Sequence, residues 1–377
     1  MTGKTNQLNP PQFINNQSDF EALARHLQAE DILAVDTEAD SLYAYEEKVC
    51  LIQISTDKND FIIDPLPLDD LTPLGAIFRD PAIEKIFHAS EYDILILHNS
   101  YQLEFENLFD TMLAAQILGR DKLGLDALLE QYFGIRVNKK YQRANWGKRP
   151  LTEDMLRYAQ MDTHHLIQIR HILAAELEKK NLTPIAAEDF LRACQVHRQA
   201  REEKIAPCWR INGARKLSPQ KAAVLVKLCE YREIVAQKRN QPVFKVLSAK
   251  TLLQLAQQTP TTIARLVELD IPGNNSLRQH APGLIDAIQS GLASKPVHPP
   301  KKERVDDAYL AREKALRDWR KRTAQKMNVN SAVVLPRELL YEVVSVNPKN
   351  MEELARVLED VPWRLERFGD DILSIFI

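Results

Sequence analysis

A repeat in the C-terminal half of the 377-residue chain constrains its fold more than any other feature of the sequence. Two segments carry the same or similar residues at a constant separation of 88 positions. The pairs are Leu228 and Leu316, Tyr231 and Trp319, Arg232 and Arg320, Ala236 and Ala324, Gln237 and Gln325, Lys238 and Lys326, Val246 and Val334, Leu247 and Leu335, Leu252 and Leu340, Pro260 and Pro348, and Leu266 and Leu354. A fixed offset of this length indicates duplication. Because the pattern is helical from about residue 185 onwards, we predict two all-α copies, at 210–292 and 303–377, joined by a semi-rigid, proline-rich linker at 293–304.

The N-terminal part of the chain alternates between strand-like and helix-like segments. Predicted strands cover residues 32–35, 48–56, 60–64 and 85–88, and predicted helices cover 71–78, 91–97, 111–118 and 125–132. The turn Asp57-Lys58-Asn59 separates the second and third strands and indicates a hairpin. We therefore predict an α/β domain with a mixed sheet over residues 12–180.

The first predicted strand leads into two acidic residues. Asp36 and Glu38 follow the apolar run at 32–35, and since they are two residues apart, their side chains lie on the same face of a strand. Two carboxylates directed at one point are typical ligands of a hard divalent cation such as Mg²⁺. An Asp-x-Glu after an apolar run is also common where a strand ends in solvent, so this pair alone leaves both interpretations open.

Two further carboxylates extend the pair into a candidate site. Asp93 follows the strand at 85–88, where α/β domains present ligands. Asp162 lies in a helix predicted after Pro150, and Tyr158 precedes it by one turn, so the phenol and the carboxylate share a helix face. Taken singly, Asp93 could instead cap its helix, and Tyr158 could simply pack against the sheet.

The segment at 139–151 places five lysines and arginines around Tyr141 and Trp146. One interpretation is a solvated loop with an anchoring aromatic residue. The other is a nucleic-acid contact, in which cations bind phosphates and aromatic rings stack on bases.

The charge of the chain is divided unevenly between its two halves. Residues 1–170 contain 16 lysines and arginines against 27 acidic residues, a net charge of −11, whereas residues 171–377 contain 34 against 25, a net charge of +9. A basic half can bind a polyanion, although such an imbalance is often only a solubility feature.

The cysteines and the hydropathy of the chain favour a cytoplasmic protein. Cys50, Cys194, Cys208 and Cys229 lie far apart and form no Cys-x-x-Cys pair, which is typical of unpaired thiols in a reducing compartment. Residues 1–16 are polar and lack the apolar stretch of a signal peptide. No apolar run approaches the ~20 residues that span a bilayer. We expect neither membrane attachment nor an obligate protein partner.

The ordered acidic motifs resemble those of bacterial ribonuclease D, a family of the DEDD exonuclease superfamily, in the subgroup whose third motif carries tyrosine. The matching residues are Asp36-Thr37-Glu38, Lys85-Ile86-Phe87-His88 with Asp93, and Tyr158 with Asp162; supporting matches are Leu108-Phe109-Asp110-Thr111, Lys139-Lys140-Tyr141-Gln142, Trp146 and Arg149-Pro150-Leu151. The repeated module resembles the HRDC domain that occurs twice in this family, clearly over residues 228–269 and in a more diverged form from about Arg304.

This resemblance implies a ribonuclease H-like exonuclease fold followed by two HRDC-type domains. It also implies hydrolysis of RNA from a free 3′-hydroxyl end, with release of nucleoside 5′-monophosphates, and trimming of tRNA precursors and other small structured RNAs. The expected ligands of two Mg²⁺ or Mn²⁺ ions are Asp36, Glu38, Asp93 and Asp162, and Tyr158 is expected to orient the attacking water. The expected substrate-binding residues are Lys139, Lys140, Gln142, Trp146 and Arg149.

One position departs from the family pattern, because Asn145 precedes Trp146 where the family usually has aspartate. A salt bridge within the loop is therefore expected to be missing, whereas the four metal-binding positions are unaffected. We expect His88 to be structural and the pair His164 and His165 not to bind metal. Two alternatives remain: a 3′→5′ DNA exonuclease, as found attached to RecQ-type helicases that share the HRDC domain, and a non-catalytic RNA-binding scaffold.

Overall fold

The computed structural model describes residues 8–195, 207–269, 274–300 and 306–377. The chain divides into two compact units, of which the first takes the described residues of 1–39, 49–200 and 305–377 and the second those of 40–48 and 201–304. The predicted start of the second copy at residue 303 and the end of the predicted linker lie outside the described residues. Within these ranges no helix is long and apolar enough to cross a membrane.

The first unit contains one mixed sheet of six strands. They are β1 (Gln12–Ile14), β2 (Ile32–Ala39), β3 (Val49–Ser55), β4 (Asp60–Ile63), β5 (Glu84–Phe87) and β6 (Leu108–Asp110), in the spatial order β1-β4-β3-β2-β5-β6. The β2–β3 and β3–β4 pairs are antiparallel, and the β1–β4, β2–β5 and β5–β6 pairs are parallel. The predicted hairpin and the predicted mixed sheet are both confirmed.

Thirteen described α-helices accompany this sheet in the first unit. They are α1 (Gln17–Leu27), α2 (Thr72–Arg79), α3 (Glu91–Tyr101), α4 (Thr111–Ile117), α5 (Leu125–Phe133), α6 (Glu153–Thr163), α7 (Leu166–Lys179), α8 (Thr183–Cys194), α14 (Asp307–Met327), α15 (Ser331–Val334), α16 (Arg337–Val346), α17 (Met351–Val357) and α18 (Pro362–Leu373). Helix α6 packs against β2, β3 and β4, and β3 is buried along its whole length. The central strands therefore provide a rigid base for the side chains at their ends.

The regular elements in the described part of the second unit are helices. Its helices are α9 (Pro219–Arg239), α10 (Val243–Val246), α11 (Ala249–Gln258), α12 (Ile263–Glu268) and α13 (Asn274–Ala293). The helices α9, α10 and α11 begin and end 88 residues before α14, α15 and α16. Asn240 and Asn328 end the two long helices in the left-handed conformation, with φ of 46° and 53°. The repeat in the sequence is therefore a repeat of structure.

The second copy is attached to α8 by a buried ion-pair cluster. The side chain of Arg364 in α18 is fully buried, and its guanidinium donates to Glu188 and Asp189, each at 2.9 Å. The same group donates to the carbonyl of Val333 at 2.9 and 3.2 Å. A guanidinium has five N–H donors and needs several acceptors when buried, and this cluster supplies them from α8 and from the second copy itself.

Candidate active site

The two acidic residues of the first motif lie within β2, which extends to Ala39 rather than ending at Val35 as predicted. Pairing with β3 continues along this end of the strand, where Asp36 lies opposite Gln53. Pairing with β5 on the other side stops at Ala34. Antiparallel pairing with β3 therefore supports the backbone that presents Asp36 and Glu38, while the opposite edge is left clear of β5.

Asp93 lies in the first turn of α3 and is bound directly to β2. Its Oδ1 accepts hydrogen bonds from the Thr37 amide at 3.1 Å and from the Thr37 hydroxyl at 2.5 Å. Since Thr37 lies between Asp36 and Glu38, this contact brings the third acidic residue to the first two. Ser90, not Asp93, occupies the N-cap position of the helix, so the capping interpretation does not apply.

Asp110 fixes the turn that leads into α3. This side chain is 1% exposed and accepts from the amides of Ala89 and Ser90 at 3.1 and 2.7 Å and from the Ser90 hydroxyl at 2.8 Å. Ala89 has a φ of 65°, a conformation that costs a non-glycine residue free energy and needs support from its surroundings. The buried carboxylate supplies that support and so positions Asp93 through α3.

Helix α6 delivers the last two predicted residues, Tyr158 and Asp162. It begins after Thr152, whose hydroxyl accepts from the amide of Met155 at 3.3 Å. The helix packs over β2 and β3, and its spacing puts the phenol and the carboxylate one turn apart on one face. The structure therefore brings together all five predicted catalytic residues.

The electrostatics show that the four carboxylates lie close enough to repel one another. Burial, together with repulsion from Asp162 and Asp93, raises the pKa of Glu38 to about 9. Burial, followed by repulsion from Asp93, Asp162 and Glu38, raises the pKa of Asp36 well above its ordinary value. The pKa values of Asp93 and Asp162 rise to about 7, chiefly through burial. The site holds concentrated negative charge that a cation would stabilise.

The chemistry of these donors fits hard divalent cations, which prefer carboxylate oxygen. None of the four carboxylates forms a salt bridge with lysine or arginine in the part of the chain that the structure describes. Across the same residues, no three histidine, cysteine or acidic side chains are gathered as the shell of a single ion. The four carboxylates are therefore candidates for holding divalent metal as a set rather than as the complete shell of one ion.

Gln53 is a candidate site residue that was not predicted from the sequence. It is fully buried, and neither atom of its amide has a hydrogen-bond partner within the described ranges. Residues directly opposite one another in an antiparallel pair share a face of the sheet, so this amide lies beside Asp36. The sequence signal that could have identified it is that Gln53 is the one polar residue of the apolar segment Val49-Cys50-Leu51-Ile52-Gln53-Ile54.

The loop at 139–151 differs from the expectation at two of its residues. Trp146 is 1% exposed and packs with Leu51, so its ring has no free face for stacking on a base. Arg149 donates to both oxygens of Asp64 at 2.6 and 2.8 Å and to the carbonyl of Cys50 at 2.9 Å. The geometry therefore assigns Trp146 and Arg149 to holding the loop on the sheet and does not support direct substrate contacts by them.

The other three predicted loop residues remain exposed. Lys139 pairs with Asp126 at 2.7 Å, Lys140 lies 4.9 Å from the ring centre of Tyr141, and Gln142 faces solvent. These three stay predicted substrate contacts.

The loop also flanks Tyr158 with aromatic rings. The ring centroids of Tyr141 and Trp146 each lie 6.0 Å from that of Tyr158. This spacing is within the range of favourable aromatic pairs. Tyr141 and Trp146, for which base stacking was one of two interpretations, thus pack beside the candidate catalytic phenol.

The predicted non-catalytic histidines each have a structural partner. Nδ1 of His88 contacts the hydroxyl of Thr111 at 2.9 Å, and this hydroxyl already donates to a backbone carbonyl, so the histidine is the donor. His164 contacts Asp60 at 2.8 Å. His165 stacks on a phenylalanine ring at 5.0 Å. These contacts agree with structural roles for all three.

Comparison with known proteins places this geometry in a family. A family model described as 3′-5′ exonuclease matches residues 11–201, and one described as HRDC domain matches residues 221–288 and 310–376. Ribonuclease D of Pseudomonas paraeruginosa is 30% identical over 373 residues, with 96% of each chain covered. The crystal structure of Escherichia coli RNase D, described as an exoribonuclease involved in structured RNA processing, has a TM-score of 0.71, 26% identity and 98% of each chain covered.

One relative is about twice as long as the segment that it shares with this chain. Protein RRP6-like 1 of Arabidopsis thaliana is 29% identical over 340 residues, or 86% of this chain, and the chain spans 51% of that protein's length. The fold and the acidic site define a 3′-5′ exonuclease domain followed by two HRDC domains. The chain belongs to the ribonuclease D family. The predicted fold class is confirmed.

Proposed function

We propose that this chain is a 3′→5′ exoribonuclease that removes nucleotides from a free 3′-hydroxyl end and releases nucleoside 5′-monophosphates. The convergence of four acidic side chains with Tyr158, supported by β2, α3 and α6, carries the proposal. Its relatives of similar length are named ribonuclease D. A non-catalytic scaffold would have no use for an array of carboxylates whose repulsion costs stability.

Four residues would hold two Mg²⁺ or Mn²⁺ ions: Asp36, Glu38, Asp93 and Asp162. Such ions, when bound, activate water, stabilise the leaving 3′-oxygen and neutralise the site. Thr37 holds Asp93 in position for this role through two hydrogen bonds to Oδ1.

Tyr158 would orient the attacking water rather than remove its proton. Burial raises the pKa of this phenol above its ordinary value, and the negative charges of Asp162, Glu38 and Asp36 act in the same direction. A neutral hydroxyl donates and accepts hydrogen bonds but is a weak base at neutral pH. The flanking rings of Tyr141 and Trp146 hold it in place.

The proposed substrates are tRNA precursors and other small structured RNAs with single-stranded 3′ ends. Lys139, Lys140 and Gln142 would contact the RNA near the site, and the basic C-terminal half would bind its body. The E. coli relative is an exoribonuclease involved in structured RNA processing, which agrees with this class. We place the protein in the cytoplasm, where the thiols of its four cysteines would stay reduced.

The test uses a 5′-labelled RNA hairpin with a single-stranded 3′ tail, incubated with Mg²⁺ or EDTA. Wild type and the control Asp57→Asn, which removes an exposed carboxylate from a turn, should shorten the RNA stepwise from its 3′ end. Asp36→Asn, and every protein in EDTA, should leave it intact. Stepwise shortening by Asp36→Asn at the wild-type rate would contradict the assignment. Binding without shortening would favour the scaffold, and faster cleavage of DNA of the same sequence would favour the DNA exonuclease.

A further inference from the structure

A cavity of about 380 Å³ opens on the surface of the second copy. It is lined by Arg317, Arg320, Arg337, Leu340 and Tyr341, which come from α14 and α16. Its volume is within the ~300–1,000 Å³ range of small-ligand pockets. Three of its five lining residues are arginines, so its chemistry suits an anion.

Tyr341 draws two of these arginines together. Its Oη accepts from Nη2 of Arg317 at 2.5 Å and from Nη2 of Arg337 at 3.5 Å. The two guanidinium carbons lie 5.7 and 5.4 Å from the centre of the tyrosine ring, within the range of cation–π contacts. Glu313 pairs with Arg317 at 2.7 Å and offsets one charge, which leaves the cavity with a net positive charge.

The first copy provides an internal control, because 88 positions separate equivalent residues. The positions of Arg317, Arg337 and Tyr341 are occupied in the first copy by Cys229, Ala249 and Leu253. Arg320 alone has an arginine counterpart, Arg232. Each of these two arginines donates to a backbone carbonyl of its own copy, 15 residues further along the chain. This structural role explains why both copies have arginine at this position.

The three residues specific to the second copy are therefore not needed by the helical fold itself. Two guanidinium groups that converge on one tyrosine can bind the oxygens of a phosphate, because arginine binds phosphate in a bidentate manner. The ring of Tyr341, which is half-buried beside them, is of a type that stacks on bases.

We propose that Arg317, Arg337 and Tyr341 form a binding site for a phosphodiester of single-stranded RNA on the second copy. The inference rests on the proposed function, because the RNA is the molecule that the acidic site would shorten. The RNA would then be bound at a second point besides the acidic site, and this point lies on the second copy.

The test measures RNA binding in EDTA, where the proposed hydrolysis cannot occur. The probe is a fluorescein-labelled oligouridine of roughly 20 nucleotides, longer than the ~4–16 nucleotides that one single-strand-binding module covers. The pocket variant is Arg317→Gln/Arg337→Gln. The matched control, Arg322→Gln/Lys326→Gln, removes the same charge from exposed residues on another face of α14. Circular dichroism establishes that both are folded.

The pocket variant should weaken binding about tenfold and flatten the dependence of log Kd on log salt by about 0.7, the value of one lost single-strand phosphate contact. The control should change Kd less than twofold. The proposed site would be overturned if both variants weakened RNA binding equally. It would also be overturned if adenosine 5′-monophosphate competed as strongly as unlabelled RNA at the same phosphate concentration. Arg337→Lys keeps the charge but loses the bidentate geometry, so its Kd should lie between those of the wild type and the pocket variant. A Kd equal to that of the wild type would also overturn the proposed site.

Hydrolysis of an RNA trinucleotide by the same variants separates this inference from the proposed function. If the wild type never shortens RNA but the pocket variant still loses binding, the proposed function is refuted and the binding site is retained. If all variants shorten RNA normally and the pocket variant has an unchanged Kd for RNA, only the proposed binding site is refuted.

Discussion

Replacing Arg364 by methionine should destabilise the first unit by several kilocalories per mole. The guanidinium is fully buried, and its main partners, Glu188 and Asp189, have side chains that are 7% and 16% exposed. Methionine keeps most of the volume but leaves both carboxylates without their cation. Glu188 also accepts from the backbone amides of Trp363 and Arg364, so it cannot turn away without breaking those bonds.

The magnitude follows from the contacts that disappear. Two charge-assisted hydrogen bonds at ~1.5–3 kcal/mol each give ~3–6 kcal/mol. This agrees with the ~3–5 kcal/mol measured when one partner of a buried ion pair is removed. The triple variant Arg364→Met/Glu188→Gln/Asp189→Asn should recover most of the loss, because it leaves no unpaired charge in the cluster.

The deficit of Arg364→Met should also depend on pH. Burial already raises the pKa values of Glu188 and Asp189, although Arg364 opposes this shift. Without the arginine their folded-state pKa values rise further. A raised folded-state pKa gives stability that is present below the unfolded pKa and is lost as the pH rises through the folded value. The difference from wild type should therefore be small below pH ~4 and grow towards neutral pH.

Urea denaturation followed by circular dichroism measures these differences. The control is Arg356→Met, which removes an arginine that is 72% exposed and pairs with Glu352 on the surface, and it should cost less than ~1 kcal/mol. An Arg364→Met deficit as small as that of the control, or one that stays constant between acid and neutral pH, would refute the reasoning.

Further predictions concern the acidic site and its supports. In metal-free protein the melting temperature should fall as the pH rises towards 9, because the folded-state pKa of Glu38 is about 9 against an ordinary 4.5, and Mg²⁺ should restore it; thermal scans at several pH values measure both. Tyr158→Phe should lower turnover on the order of 100-fold at unchanged RNA affinity, measured in single-turnover assays beside binding titrations. Trp146→Ala should cost ~3–5 kcal/mol in urea denaturation without weakening RNA binding, whereas a pure loss of affinity would restore the stacking interpretation. Gln53→Leu should lower turnover while urea denaturation shows unchanged or higher stability, since it removes an unpartnered buried amide.

The sequence was sufficient to predict most of the first unit because its signals are local. The hairpin of β3 and β4 follows from two β-branched runs and a short turn. The candidate site residues could be identified because each stands at a recognisable place in its own element. By contrast, β1 and β6 are three residues long, too short to show a period, and they form through parallel pairing with distant strands.

Interactions over long sequence separations could not be predicted. Arg149 and Asp64 are 85 residues apart, and Arg364 and Glu188 are 176 apart. A basic loop with a tryptophan has the same sequence whether its aromatic ring stacks on RNA or packs against the sheet. The predicted end of β2 was wrong because the apolar run stops at Val35, whereas pairing with β3 continues to Ala39.

The central claim is that the acidic site hydrolyses RNA from its 3′ end, and product analysis tests it most directly. Wild type and Asp162→Asn are mixed in excess with RNA bearing either a 3′-hydroxyl or a 3′-phosphate, in Mg²⁺ or Mn²⁺, and the products are separated by chromatography. The account predicts nucleoside 5′-monophosphates released one at a time by wild type from the 3′-hydroxyl substrate, and none from Asp162→Asn. Internal fragments, cyclic phosphates, or full activity of Asp162→Asn would contradict it.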